Sequence, residues 1–306
     1  MERRTLLAII LAMIVVVVPA ILFPPKRVTP PARGPSSDTA AARAAPESLA
    51  VRTVETVPRQ DPQRRDTAPA QSVTVSSPLY AFRFSTRGAR LVGAELREYR
   101  SFAPGDSGLA ELIPPESEFL SYRLVVGRDT VALAEWSFEP SSPALAVGPA
   151  GAELVWRAQR GPLAVQLTYT FRPDSYLFDV HGVVTGASGG GLVLIGLGPR
   201  LHSVEADSAL DSRSYGVVTK SRVTENLKFG SLDPGDRAEL AGPFEWLAIK
   251  SMYFVAAVLT IAEGVPRLGG ALAVGGARSG RSAPRVHVTA TLAAPPGEFR
   301  HGVYVG

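Results

Sequence analysis

The chain has 306 residues, a length that suits one large or two ordinary domains and leaves room for a sizeable core. Its 29 glycines and 26 prolines exclude a helical bundle or coiled coil, and its lack of cysteine excludes disulfides, thiolate metal sites and a cysteine nucleophile. The formal net charge of +4 sits near the N-terminus: residues 1–72 hold 10 Lys/Arg against 6 Asp/Glu, the remainder balances at 22 of each, and nucleic-acid binding by a clustered cationic face has no support.

In chain order, MERR precedes LLAIILAMIVVVVPAILF, an uncharged run from Leu6 to Phe23. As a helix it would be roughly 27 Å long, enough for one membrane crossing. A cleaved signal peptide has a shorter apolar region of about 7–15 residues and an A-x-A-like site. This run is longer and ends in Phe23-Pro24-Pro25, so residues 1–23 are read as an uncleaved transmembrane anchor. Arg3 and Arg4 are opposed by Lys26, Arg27 and Arg33, so charge alone does not orient it. The arginines immediately beside the span favour an N-terminus inside. Residues 24–72 are rich in Pro, Ala, Arg, Thr and Ser, carry no aromatic residue and show no sustained apolar period. They are expected to form a disordered linker.

From residue 73 to 306 the pattern changes to short segments of period two. LTYTF sets Leu167, Tyr169 and Phe171 against Thr168 and Thr170, and VHVTATL sets Val286, Val288, Ala290 and Leu292 against His287, Thr289 and Thr291. Both predict half-buried strands. YAFRFST, ARLVGAEL, FLSYRLVVG, TVALAEWSF, AELVWRAQ, YLFDVHGVV, LVLIGL and YGVVTK read the same way, mostly separated by Pro, Gly, Asp or Ser. With no long amphipathic helix among them, the fold class is mainly β, with stacked antiparallel sheets in a large sandwich.

Residues 242–259, GPFEWLAIKSMYFVAAVL, are nearly greasy enough for a second span. In a bilayer Glu245 and Lys250 would each cost up to about 2.5–3.5 kcal/mol. As one helix, Phe244, Trp246, Ile249, Tyr253 and Phe254 would surround the wheel rather than form a stripe. A hairpin of FEWLAI and YFVAAVL with Lys250-Ser251 exposed at the bend accommodates both facts, and Trp246, Tyr253 and Phe254 are expected in the core.

No catalytic, cofactor-binding or metal site is assigned. His181, His202, His287 and His301 are scattered without metal-ligand spacing, and His181 and His287 read as surface or satisfied core positions. Asp174, Asp179, Glu205 and Asp207 lie near turns, where Asp commonly caps or bends the chain. GASGGGLVLIGLG (186–198) matches neither a P-loop nor a dinucleotide fingerprint and reads as a flexible loop feeding a buried strand.

Four blocks in order carry a family resemblance: MERRTLLAIILAMIV, FSTRGARLVGAELREY, LTYTFRPDSYLFDVHGVV and FEWLAIKSMYFVAAVL. Together they resemble the N-terminal anchor and periplasmic domain of the YidC family of bacterial membrane protein insertases, over nearly the whole chain apart from the linker. The resemblance implies an anchor with its N-terminus inside, in the bacterial inner membrane, and the bulk of the chain in the periplasm as a β-supersandwich related to galactose mutarotases. It implies a non-enzymatic role, without cofactor, in inserting and folding inner-membrane proteins, alone or beside the Sec translocon, with lipid and nascent membrane proteins as partners. In that family VYVG leads on to a linking helix and a five-helix insertase core bearing an arginine in a water-filled groove. That core is missing here, and a fragment of a longer protein is expected. The alternative on the same fold is a carbohydrate-active epimerase or sugar-binding domain, which would need a histidine and a carboxylate converging in an open cleft, or a row of exposed aromatics.

Overall fold

The computed structural model describes residues 69–187, 191–261, 267–278, 280, 284–294 and 297–306. The anchor and all but the last residues of the linker expected from the sequence lie outside the described residues, as do residues 188–190 of the glycine-rich stretch. Among the described residues, no helix is long and apolar enough to cross a membrane.

The strands in chain order are β1 (Ser72–Ser76), β2 (Tyr80–Ser85), β3 (Leu91–Arg100), β4 (Leu109–Glu111), β5 (Ser121–Val126), β6 (Asp129–Ala132), β7 (Glu139–Pro140) and β8 (Ala144–Ala146). Next come β9 (Ala152–Arg160), β10 (Leu163–Phe171), β11 (Leu177–Thr185), β12 (Gly191–Leu197) and the short helix α1 (Ser208–Ser212). The chain continues through β13 (Gly216–Lys220), β14 (Thr224–Lys228), β15 (Arg237–Leu240), β16 (Trp246–Lys250), β17 (Val255–Leu259), β18 (Leu268–Gly275), β19 (Val286–Ala294) and β20 (Glu298–Val305). They build a five-stranded sheet ordered β4-β3-β2-β1-β8, a nine-stranded sheet ordered β14-β13-β16-β17-β20-β11-β10-β9-β7 and a six-stranded sheet ordered β15-β18-β19-β12-β5-β6. The mainly β, layered architecture expected from the pattern is therefore present. Among the described residues, only β1 and β8 pair in parallel.

Alternation decides which side of each strand is buried, because successive side chains point to opposite faces. Leu167, Tyr169 and Phe171 on β10, and Val286, Val288, Ala290 and Leu292 on β19, are all buried, as the sequence predicts. The nine-stranded sheet turns one face inward against both of the other sheets. Towards the five-stranded sheet, the ring of Phe84 on β2 lies 5.3 Å from Tyr169, 5.9 Å from Phe171, 6.0 Å from Phe178 and 6.3 Å from Trp156, centre to centre. Towards the six-stranded sheet, Tyr122 on β5 meets Phe299 and His301 on β20. Each large apolar side chain fully buried here contributes about 1.5–3 kcal/mol, so the aromatic centre holds the layers together.

One local departure from the sequence reading has a physical cause. TVALAEWSF is a strand only to Ala132, then turns through a short 3-10 segment, Leu133–Glu135, which lets both Leu133 and Trp136 reach the core. At the β4 edge, the Glu111 carboxylate accepts from the Ala94 amide of β3 and pairs with Arg83 of β2, beside a register shift between β2 and β3, so that both of its oxygens are occupied.

The 242–259 stretch is a hairpin. Trp246 pairs with Leu259 and Lys250 with Val255, and the hairpin sits inside the nine-stranded sheet between β13 and β20. The bend departs from expectation. Lys250 is the last, half-buried strand residue, and Ser251 is buried, its Oγ accepting from the Phe254 amide while its own amide donates to the Phe254 carbonyl. A side chain that closes the turn from within must turn away from solvent, so the exposed tip falls on Tyr253 instead.

Candidate functional site

The outward face of the nine-stranded sheet carries the polar half of each alternating strand. Arg157 and Gln159 on β9, Ala164 and Gln166 on β10, Val183 and Thr185 on β11 and Glu139 on β7 line a shallow, open cleft of about 450 Å³. Arg157 Nε donates to Gln166 Oε1 at 3.2 Å, so the floor is partly self-satisfied. The lining mixes hydrogen-bonding and apolar groups without enclosing a volume. Such a surface suits an extended, chemically varied ligand better than one small molecule.

His181 follows on the same face, one pleat beyond Val183, but does not line the cleft. Its Nε2 lies 2.8 Å from Glu298 Oε1, and Arg300 donates to that same oxygen at 2.9 Å. Register explains the cluster: His181 pairs with Arg300 and Val183 with Glu298, so three side chains of β11 and β20 share one face. Arg300, then His181, hold the Glu298 carboxyl below its usual range. On the six-stranded sheet, His287 Nδ1 lies 2.9 Å from Glu118 Oε2. The hydrogen bond it makes to Glu118 pushes the His287 imidazole up, and the same bond holds the Glu118 carboxyl down. Both are hydrogen-bonded pairs at half-exposed positions, in keeping with the surface reading of these two histidines.

The other candidates separate. His202 is exposed, with Nδ1 3.3 Å from the Glu111 carbonyl. His301 is buried to 1% exposure and hydrogen-bonds Tyr122 at 3.1 Å, a place its period-two position on β20 would have shown had that strand been recognised. Asp207 caps α1 through the Ala209 and Leu210 amides, as expected of a turn aspartate. Asp174 lies in the β10–β11 turn, but Asp179 does not lie at a turn. It is the third residue of β11 and pairs with Arg172 at 2.9 Å. Glu205 sits in the bend before α1, where burial and then the charge of Asp211 push its carboxyl up.

Sequence reasoning missed Asp211. It is 1% exposed, accepts from Ser203 Oγ at 2.6 Å and from the Met252 amide at 2.9 Å, and thereby ties α1 to the β16–β17 turn. Beside it, Ala103, Pro104, Arg200, His202, Ser203, Glu205, Ser208, Ser212 and Tyr215 line a second cleft of about 310 Å³. Burial, then Asp211, pushes the Tyr215 phenol up, and that hydroxyl donates to the Leu201 carbonyl. Of the three aromatics expected in the core, Phe254 is buried, Trp246 is half-buried on the outward face, and Tyr253 is 71% exposed, which corrects the expectation for Tyr253. Among the described residues no group of three or more His, Asp or Glu is placed to hold a metal ion.

These features define a layered β domain whose exposed chemistry lies on open sheet faces. The model of the YidC periplasmic domain family matches residues 72–288, so the chain belongs to that family. It is 29% identical to the membrane protein insertase YidC of Geobacter metallireducens over 99% of this chain and 56% of that protein. It is 24% identical to the membrane protein insertase YidC of Maridesulfovibrio salexigens over 88% of this chain and 50% of that protein. The chain thus spans about half the length of the curated relatives it matches. Membership places it among inner-membrane proteins with a periplasmic domain. Solved structures of similar shape include a galactose mutarotase-like protein from Lactobacillus casei, 10% identical over 76% of this chain and 99% of that one, TM-score 0.45. A galactose mutarotase related enzyme from Lactobacillus acidophilus is 9% identical over 77% of this chain and 97% of that one, TM-score 0.41.

Proposed function

We propose that the chain is the anchored periplasmic portion of a membrane protein insertase and assists, without catalysing a reaction, the insertion and folding of inner-membrane proteins. The observation that carries this reading is that the family match, residues 72–288, falls on the layered β domain. Residues 1–23 serve as a single membrane anchor, residues 24–72 as a linker, and residues 73–306 as the periplasmic domain. Lipid and nascent membrane proteins are its partners, and it acts alone or with the Sec translocon. The energy of insertion comes from moving apolar segments into lipid, and the domain contributes a docking surface near the site of transfer. The open cleft around Gln166 and Arg157 supports this, because a broad, mixed surface can touch translocated segments of many sequences.

The test is photocrosslinking in cells. A photoreactive residue at Gln166 or at Lys250 of the full chain should capture a membrane protein during its synthesis, or a translocon subunit. A chain that captures neither from either position is not an insertase domain acting by contact.

The His181–Glu298 pair, one pleat from the cleft, keeps a second reading in view: a carbohydrate-active or sugar-binding domain. Soaked aldoses that leave no density, together with a mutarotation rate no faster than buffer, would end it.

A further inference from the structure

We propose that the end of the domain formed by Tyr99, Phe102, Met252 and Tyr253 is a membrane-facing rim that rests in the interfacial layer of the bilayer. This rests on the membrane placement proposed above.

Among the described residues, the exposed aromatics gather at one place. Tyr253 is 71% exposed, Phe102 68% and Tyr99 45%. They come from distant segments and are brought together by specific contacts. The Tyr99 ring packs edge-on against Phe254 at 5.6 Å, next to Tyr253 at the tip of the β16–β17 turn. The Phe102 amide donates to the Val204 carbonyl in the segment before α1, and Asp211 on α1 holds the Met252 amide. Leu210, 48% exposed, adds to the same end from α1. Ordinary surface apolar residues are scattered singly, whereas a cluster of this kind marks an interaction site.

Three observations choose lipid over a protein partner. The aromatics are two tyrosines and a phenylalanine, side chains with an apolar body and, in tyrosine, a polar tip, which suits the boundary between headgroups and acyl chains. The residues around them carry both signs, Arg100 and Arg213 with Glu98 and Asp106, so no charged patch addresses a protein of opposite charge. Finally, the same chain carries the apolar run Leu6–Phe23, which on the placement proposed above is a membrane anchor and keeps a bilayer available to the domain. The rim is rigid: the Ser251 hydroxyl closes the turn from inside, and the last residue, Gly306, exchanges two backbone hydrogen bonds with Val255 directly behind it.

The absence of cysteine makes the test direct, because any introduced thiol is unique. The full chain, reconstituted in neutral phosphatidylcholine vesicles, is labelled with an environment-sensitive fluorophore at Tyr253→Cys, Phe102→Cys, Val223→Cys or Ile14→Cys. Val223 is 60% exposed and lies a strand length away, beyond the β13 end that pairs with Trp246 rather than Lys250. Lipids carrying a spin label high on the acyl chain should quench positions 253 and 102 at least threefold more than 223, and raising salt should not change this. Equal quenching at 253 and 223, with Ile14 quenched, overturns the rim and leaves the membrane placement intact; shielding by a second copy or a protein gives this same result. An unquenched Ile14 overturns both.

Discussion

Tyr122 Oη and His301 Nε2 lie 3.1 Å apart across the interior, joining β5 of the six-stranded sheet to β20 of the nine-stranded one. His301 is fully inside, and burial lowers its imidazole to a pKa of about 4. The neutral ring accepts a hydrogen bond from the Tyr122 hydroxyl at Nε2, and its Nδ1–H donates to the Gly302 carbonyl at 3.3 Å. A charged imidazolium would lose that acceptor and sit unpaired between two sheets.

The pH dependence follows from linkage. Because the folded pKa is depressed below the ordinary value of 6.5, the unfolded chain takes up the proton first, and this group's contribution is lost as pH falls from about 6.5 to about 4. The full difference is worth about 3 kcal/mol. His301→Gln keeps an acceptor for Tyr122 but does not titrate. Urea unfolding of both proteins at pH 7 and pH 4 should show wild type losing about 3 kcal/mol more than the variant. Parallel pH profiles would show that His301 does not titrate out of the core.

Asp211 makes a second long-range tie, from α1 to the turn at Met252. Asp211→Ala leaves the Met252 amide and the Ser203 hydroxyl without their acceptor in a buried setting, at a cost of about 2–3 kcal/mol. Hydrogen exchange should locate the damage: the Met252 amide exchanges much faster in the variant, while the β10 amides keep their protection relative to global stability.

Gly182 faces the ring of Phe299 across the β11–β20 pair, and a Cβ there would lie 2.1 Å from Phe299 Cζ. No rotamer of a β carbon avoids that, so the ring must move out of the core. Gly182→Ala is expected to cost about 1–3 kcal/mol. A double-mutant cycle with Phe299→Ala should show strong coupling, because removing the ring removes the clash. Additive effects would place the clash elsewhere.

The sequence by itself determined the mainly β class, the inward set of each alternating strand such as Leu167, Tyr169 and Phe171, and the hairpin nature of residues 242–259. These are local properties: a period of two fixes a face, and two charges forbid a bilayer. Four short blocks also sufficed to place the chain in its family, since their order along the chain is itself information. Only the tertiary structure decided that Ser251 is buried and Tyr253 exposed, that His301 meets Tyr122, that Asp211 reaches Met252, and that Tyr99 and Phe102 join Tyr253 at one end. Such pairs are separated by up to 179 positions in the chain. Which of them meet depends on sheet order and strand register, which no single segment encodes.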